Sequence, residues 1–258
     1  MSVGFFFDLL ARSPDKVAIT GRTKTATYGE LLEAVEESTR ALRQAGVERG
    51  AVVLLRGDFT PAGITMLLAL IRHGCICIPY TGASPVLIDD VLTIGEVEWI
   101  VTVAPDESLQ IAKQSVVASH AEYQQLRNLD APGLVLFSSG STGKSKGVVH
   151  DLSALLQKFR KPRHDLRTLA FLLFDHIGGL DTLFYCLSNA STLVVVHERT
   201  PEEVCRAIEE FKVEVLPTAP TFLNLLFLSG VDQKYDLSSL KFITYGAEVM
   251  PQATLNRA

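Results

Sequence analysis

Short runs of branched and aromatic residues alternate along this chain with longer stretches whose apolar positions recur at helical spacing. The short runs predict strands at 17–20, 52–56, 75–79, 99–103, 115–118, 134–138, 168–173, 192–196, 215–217 and 242–245. The longer ones predict helices at 28–45, 61–73, 85–95, 152–159, 179–187, 201–211 and 219–228. Capping signals agree. Pro201 has Glu202 and Glu203 behind it and Thr200 ahead as N-cap, and Asp151 is placed to cap the helix at 152. Alternating β and α elements argue for an α/β protein with doubly wound sheets covered by helices on both faces. There is no internal repeat and no low-complexity linker.

One segment stands outside the pattern. From Phe137 to Val148 the chain concentrates glycines, hydroxyl side chains and two lysines, entered from the apolar run 134–137. Glycines let a backbone turn sharply and approach a ligand closely. Successive N–H groups in such a turn attract anions, and hydroxyl and ammonium groups add donors. A flexible surface loop shares this composition but does not explain the lysines. The Walker pattern nearly fits, with Gly143, Lys144 and Ser145 in place but Ser138 where its first glycine belongs. That loop must run directly into a helix. Here 147–150 reads as a second short strand, so a hairpin-like loop is expected instead.

The motif resembles the signature loop of the adenylate-forming superfamily, an aromatic residue followed by [ST]-S-G-[ST]-T-G-x-P-K-G-V. Only the proline differs, being Ser145 here. The resemblance extends from end to end. Thr27-Tyr-Gly-Glu-Leu-Leu32 and 46–55 look like the family's opening segment, with Gly50-Ala51 where Gly-Asp is usual. The stretches 62–74 and 75–80 are similar to its next helix and strand, and 171–180 resembles "lFHigGl" with Asp175 replacing a phenylalanine. Val213 to Phe222 resembles a strand and turn of the family, and Gly246-Ala-Glu-Val-Met-Pro251 resembles "GGE.LP".

The family likeness implies two stacked α/β lobes, 50–167 in one and 1–49 with 168–258 in the other. It implies ATP and Mg²⁺, and attack of a carboxylate on the α-phosphate to give acyl-AMP and pyrophosphate. Acceptors would be CoA or a carrier-protein thiol. Ser138, Ser139, Gly140, Ser141, Thr142, Gly143, Lys144 and Lys146 then form the nucleotide loop, with Lys146 and Thr142 catalytic and Lys144 at a variable position. Gly246, Ala247 and Glu248 fall on the adenine side. His176 matches a gate beside the acyl site, with Gly178 following it. Asp175 either orients His176 or holds a substrate ammonium, as in amino-acid-activating relatives. Tyr245 and Phe222 are candidate pocket walls. By the same likeness the C-terminal part of the family is absent, including the ribose-binding aspartate, the acidic metal ligand and a C-terminal lysine. The chain is therefore expected to be a fragment, inactive alone, with no metal ligands of its own, and prone to self-association through the uncovered face.

Composition narrows this little. With 47% hydrophobic residues the chain can bury a substantial core, in one large or two small domains. A net charge of −5 without a Lys/Arg stripe argues against a nucleic-acid surface. Arg160, Lys161, Arg163 and Arg167 are the densest basic cluster, read as solvated residues after a helix or as a docking spot for CoA phosphates or a carrier protein. Four scattered cysteines form neither a disulfide framework nor a metal box, so buried reduced thiols and a cytoplasmic location are expected. No apolar run is long enough to span a bilayer. Two other readings stay open: a Walker-type phosphotransferase and a non-catalytic nucleotide- or acyl-binding protein.

Overall fold

The structure is a computed structural model that describes residues 2–139, 145–246 and 248–257. Its strands are β1 (Val17–Thr20), β2 (Thr25–Thr27), β3 (Val52–Arg56), β4 (Ile76–Tyr80), β5 (Trp99–Val103), β6 (Leu109–Lys113), β7 (Gly133–Ser138), β8 (Lys146–Asp151), β9 (Thr168–Leu169), β10 (Leu193–Val194), β11 (Val215–Thr218) and β12 (Phe242–Tyr245). Its helices are α1 (Gly4–Leu10), α2 (Tyr28–Gln44), α3 (Pro61–His73), α4 (Ile88–Ile94), α5 (Ala121–Asn128), α6 (Leu152–Leu155), α7 (Ile177–Ser188), α8 (Pro201–Phe211), α9 (Pro220–Ser229) and α10 (Gln252–Leu255).

Two six-stranded sheets result. The first runs β12-β11-β9-β10-β1-β2 and is parallel except for the β1–β2 hairpin. The second runs β6-β5-β3-β4-β7-β8, a parallel centre with an antiparallel strand at each edge. Strands 17–27 thus complete a sheet whose other members come from 168–245, while 52–151 builds the second sheet.

Strand alternation sorts side chains between cores, since successive residues face opposite ways. Val53, Leu55, Cys75 and Cys77 point into a central core shared with Ile19, Leu193 and helices α2, α3 and α7. Val52, Leu54, Ile76 and Ile78 point outward to a core with Val91, Tyr123 and Leu126. Val194 and Val196 likewise face a third core beneath α8 and α9. Helix α3 is buried on nearly every side, which is why it is apolar all round. Its N-cap Thr60 accepts from Gly63 N, and Gly74 closes it in the left-handed conformation at φ 86°. Thr27 caps α2 with a full capping box to Glu30.

Several expected elements differ. No strand forms at 115–118; the Ala118 N–H bonds Glu98 Oε1 at 3.0 Å and its carbonyl takes Arg127 Nη1 at 2.7 Å, so side chains satisfy that backbone. The edge strand is β6 instead, whose mostly exposed residues carry no alternation signal. The helix at 152–159 gives way after Leu155 to a 3₁₀ turn, Leu156–Arg160. Helices α1 and α5 had no strong capping signal and were not expected. The four cysteines are free and buried, and desolvation pushes the Cys205 thiol up to about 11 and Cys75 to about 12. No helix among the described residues is long and apolar enough to cross a membrane.

Candidate active site

Strands β7 and β8 pair antiparallel from Gly133↔Asp151 to Ser138↔Lys146, so the glycine–serine–lysine segment closes a hairpin. A Walker loop requires a helix at this point; a strand begins at Lys146 instead, and Asp151 caps α6 only afterwards. The Walker phosphotransferase reading is thereby corrected. Phe137 lies opposite Gly147, where an added Cβ would come within 3.1 Å of the ring and 3.3 Å of Val135, so a side chain there would displace the aromatic residue. Ser138, Ser139 and Lys146 are exposed, and among the described residues the Lys146 ammonium pairs with no carboxylate. Gly140, Ser141, Thr142, Gly143 and Lys144 lie outside the described residues, as does Ala247.

A second feature is a cavity of about 550 Å³ between α7 and the first sheet. Gly178, Asp181, Thr182 and Tyr185 face it at the 3–4 residue spacing of one helix face. From the sheet come Thr168, Val215 and Phe242, which are register partners, and the next same-face pair Pro217 and Thr244. Tyr245 and Gly246 complete it at the carboxyl ends of the strands, where open α/β sheets bind ligands. The lining is mainly apolar; Asp181 brings one carboxylate, ion-paired to Lys158, and the buried Thr218 hydroxyl is unpartnered. Gly178, Tyr245 and Gly246 all line this one cavity, whereas the family likeness assigned Gly246 to the adenine side and the other two to the acid. Phe222 is not a wall here; it packs in the core against Phe171 with ring centroids 4.3 Å apart.

His176 and Asp175 sit at the entrance to α7. His176 is its N-cap, Nδ1 accepting from Gly178 N at 3.2 Å, which leaves Nε2 to carry the proton of the neutral ring. At Gly179 a Cβ would lie 2.0 Å from the Leu173 carbonyl, so only glycine lets the first turn pack this closely. Asp175 does not orient His176. Its Oδ2 accepts from Thr81 N at 2.9 Å and Thr81 Oγ1 at 2.7 Å, and its Oδ1 is buried without a partner. Glu248 is also engaged, accepting from Thr221 N at 3.1 Å and Thr221 Oγ1 at 2.6 Å at the start of α9. The role of Thr81 had no local signal, because its partner is 94 residues away.

The sequence profile of the AMP-binding enzyme family matches residues 6–258. The chain belongs to the AMP-binding enzyme family. Among curated relatives, a Mycobacterium phenyloxazoline synthase MbtB is 31% identical, the match covering 87% of this chain and 21% of that protein. An acetyl-coenzyme A synthetase of Shewanella baltica is 26% identical over 95% of this chain and 48% of its own length. The chain thus spans less than half of these curated relatives. The N-terminal subdomain of Klebsiella oxytoca NpsA, solved in complex with 3-hydroxyanthranilyl-AMSN, superposes with TM-score 0.79 at 18% identity, covering 98% of this chain and 68% of that one. The N-terminal domain of FACL13 from Mycobacterium tuberculosis gives TM-score 0.79 at 17% identity, covering 99% and 72%. These two show the shared fold.

Proposed function

We propose that this chain carries the nucleotide-phosphate and acid-binding parts of an enzyme that activates a carboxylic acid with ATP. The carboxylate oxygen would bond to the α-phosphorus as the bond to the β-phosphate bridge breaks, giving acyl-AMP and pyrophosphate. The observation that carries this reading is the hairpin mouth, where Ser138 and Lys146 are register partners across the ladder and both are exposed. ATP fits that donor set in kind. Ser138, Ser139 and Lys146 would hold its β- and γ-phosphates, with the motif residues 140–144 between them. Preorganised donors of this sort supply most of the acceleration in phosphoryl chemistry, because the protein's task is positioning. Mg²⁺ would neutralise charge on the phosphates; no group of three His, Cys, Asp or Glu side chains suited to a cation occurs among the described residues.

The acid would lie in the cavity beside α7, with Gly178 and Tyr245 against it, and His176 caps the helix that lines it. Its apolar lining supports an acyl or aryl acid. Asp175 is not among the lining residues and Asp181, which is, pairs with Lys158, which supports the same choice over an amino acid. CoA or a carrier-protein thiol is the proposed acceptor, and free buried thiols accord with a cytoplasmic setting. We take 50–167 as one lobe and 1–49 with 168–258 as the other, following sheet membership. Acid-dependent ATP–pyrophosphate exchange over fatty, aromatic and amino acids tests the proposal, beside calorimetric titration with ATP. Exchange with fatty or aromatic acids supports it, as does ATP binding alone if the chain needs further segments for turnover. Absence of both overturns it.

A further inference from the structure

Ser145 stands where the hairpin leaves the glycine-rich segment, one residue before Lys146. Its hydroxyl donates to Asp90 Oδ2 at 2.5 Å, in a partly buried contact between two segments 55 residues apart. Bonds from a hydroxyl to a carboxylate are short and strong, and this one lies in that range. Asp90 belongs to the first turn of α4, and α4 is anchored by Val91, buried in the outer core with Ile78 and Val97. Strand β8 is held on one edge only, by β7, because it ends the sheet. Its first three residues, Lys146, Gly147 and Val148, are exposed. The ladder alone therefore leaves the exit of the hairpin restrained from one side. The Ser145–Asp90 bond supplies a second, independent restraint from a helix anchored in the outer core, next to the lysine that would meet phosphate.

We propose that Asp90 is a positioning residue for this hairpin, fixing Ser145 and through it the backbone that presents Lys146. The assignment rests on the functional reading only in naming phosphate as the ligand. The motif form quoted above has proline at position 145. A proline ring limits the backbone from within and needs no partner, whereas serine is limited here from outside, by Asp90. The two devices should be exchangeable. They also separate positioning from charge, since removing Asp90 takes away a negative charge that would repel phosphate, which by itself favours anion binding.

The test uses Asp90→Ala, Ser145→Ala, Asp90→Asn and the double variant Asp90→Ala/Ser145→Pro, each confirmed folded by its melting curve. Hydrogen exchange of the backbone amides of 146–149 and the dissociation constant for ATP are measured on each. Loss of one charge-assisted bond should raise exchange and weaken ATP binding by about tenfold in both alanine variants. Asp90→Asn keeps an acceptor oxygen and should stay within about threefold of the parent. The double variant should recover both properties. Unchanged exchange in Asp90→Ala overturns the proposal, as does altered exchange with unaltered ATP affinity, or a double variant no better than Asp90→Ala. If the parent protein binds no ATP while the exchange pattern holds, the functional reading fails and the Asp90 restraint stands.

Discussion

Asp175 and Thr81 tie the two sheets together through one carboxylate oxygen, which accepts both the backbone N–H and the hydroxyl of Thr81. Two further contacts join neighbouring loops of the two sheets. Arg199 forks onto Asp58 at 2.9 and 3.1 Å, and its Nε bonds the Phe171 carbonyl at 2.6 Å. The Phe59 and Phe174 rings meet edge-to-face at 5.0 Å. All three lie beyond the carboxyl ends of strands from both sheets, so the entrance of α7 is held by residues of the opposite sheet.

Replacing Asp175 should therefore act on stability before chemistry. Asp175→Ala leaves the Thr81 donors without their acceptor and should cost about 1–3 kcal/mol, read as a lower denaturant midpoint with unchanged slope. Asp175→Asn retains one acceptor and should cost less. In pyrophosphate exchange the two variants should treat fatty, aromatic and amino acids alike. A selective loss of amino-acid activation would show instead that Asp175 binds an ammonium group.

Lys146→Ala should lower turnover of the intact enzyme by roughly two to three powers of ten, the usual cost of one preorganised charge-stabilising donor. Weaker ATP binding at equilibrium is the matching readout where turnover is absent. Near-parental values in both measurements would remove Lys146 from the mechanism.

The Asp236 carboxyl is held at about 2 by hydrogen bonds from Ser238 and by Lys212, whose ammonium is 3.1 Å away. A carboxylate with a depressed folded pKa stabilises the native state above its unfolded value, about 3.9. That contribution should be complete above pH 4 and disappear as pH falls toward 2. Asp236→Asn should flatten this part of the stability–pH curve, and an NMR titration should place the Asp236 midpoint near 2. A midpoint near 4 would refute the assignment.

Strand β12 ends its sheet, and large apolar side chains stand exposed around it: Phe242 at 53%, Leu228 at 71% and Val249 at 91%. An open edge beside apolar surface invites pairing with another chain. Sedimentation velocity should show concentration-dependent self-association, and Phe242→Lys should reduce it. A monomer over the whole concentration range would refute this.

Much of the architecture was legible from pattern. Pro61, Thr200 and Pro201 marked helix starts because capping is local chemistry, β3 stood out through its continuous apolar run, and β5 through its β-branched and aromatic residues. The hairpin at Lys146 followed from reading 147–150 as a strand. The bonding of Asp175 was not legible, since its neighbour His176 is the obvious partner in sequence while Thr81 reaches it only through the fold. The cavity shows the same limit. Helical spacing could have added Asp181, Thr182 and Tyr185 to Gly178, but only strand register reveals that Val215 and Phe242 lie across from them. Ser145 stood out as the one departure from the motif, but its partner Asp90, 55 residues away, is hidden from pattern.

The placement of β1 between β10 and β2 sets an order of events during synthesis. The first hairpin leaves the ribosome long before the strand beside which it must lie, which begins at Leu193. The sheet formed by 52–151 is continuous in sequence and can close while its successors are still being made. Residues 17–27 must meanwhile wait with the β1 edge that later pairs with β10 left open, at Ile19 and Thr20. Delayed or halted translation between Asp151 and Leu193 would hold the chain in that state, half assembled and open to chaperones.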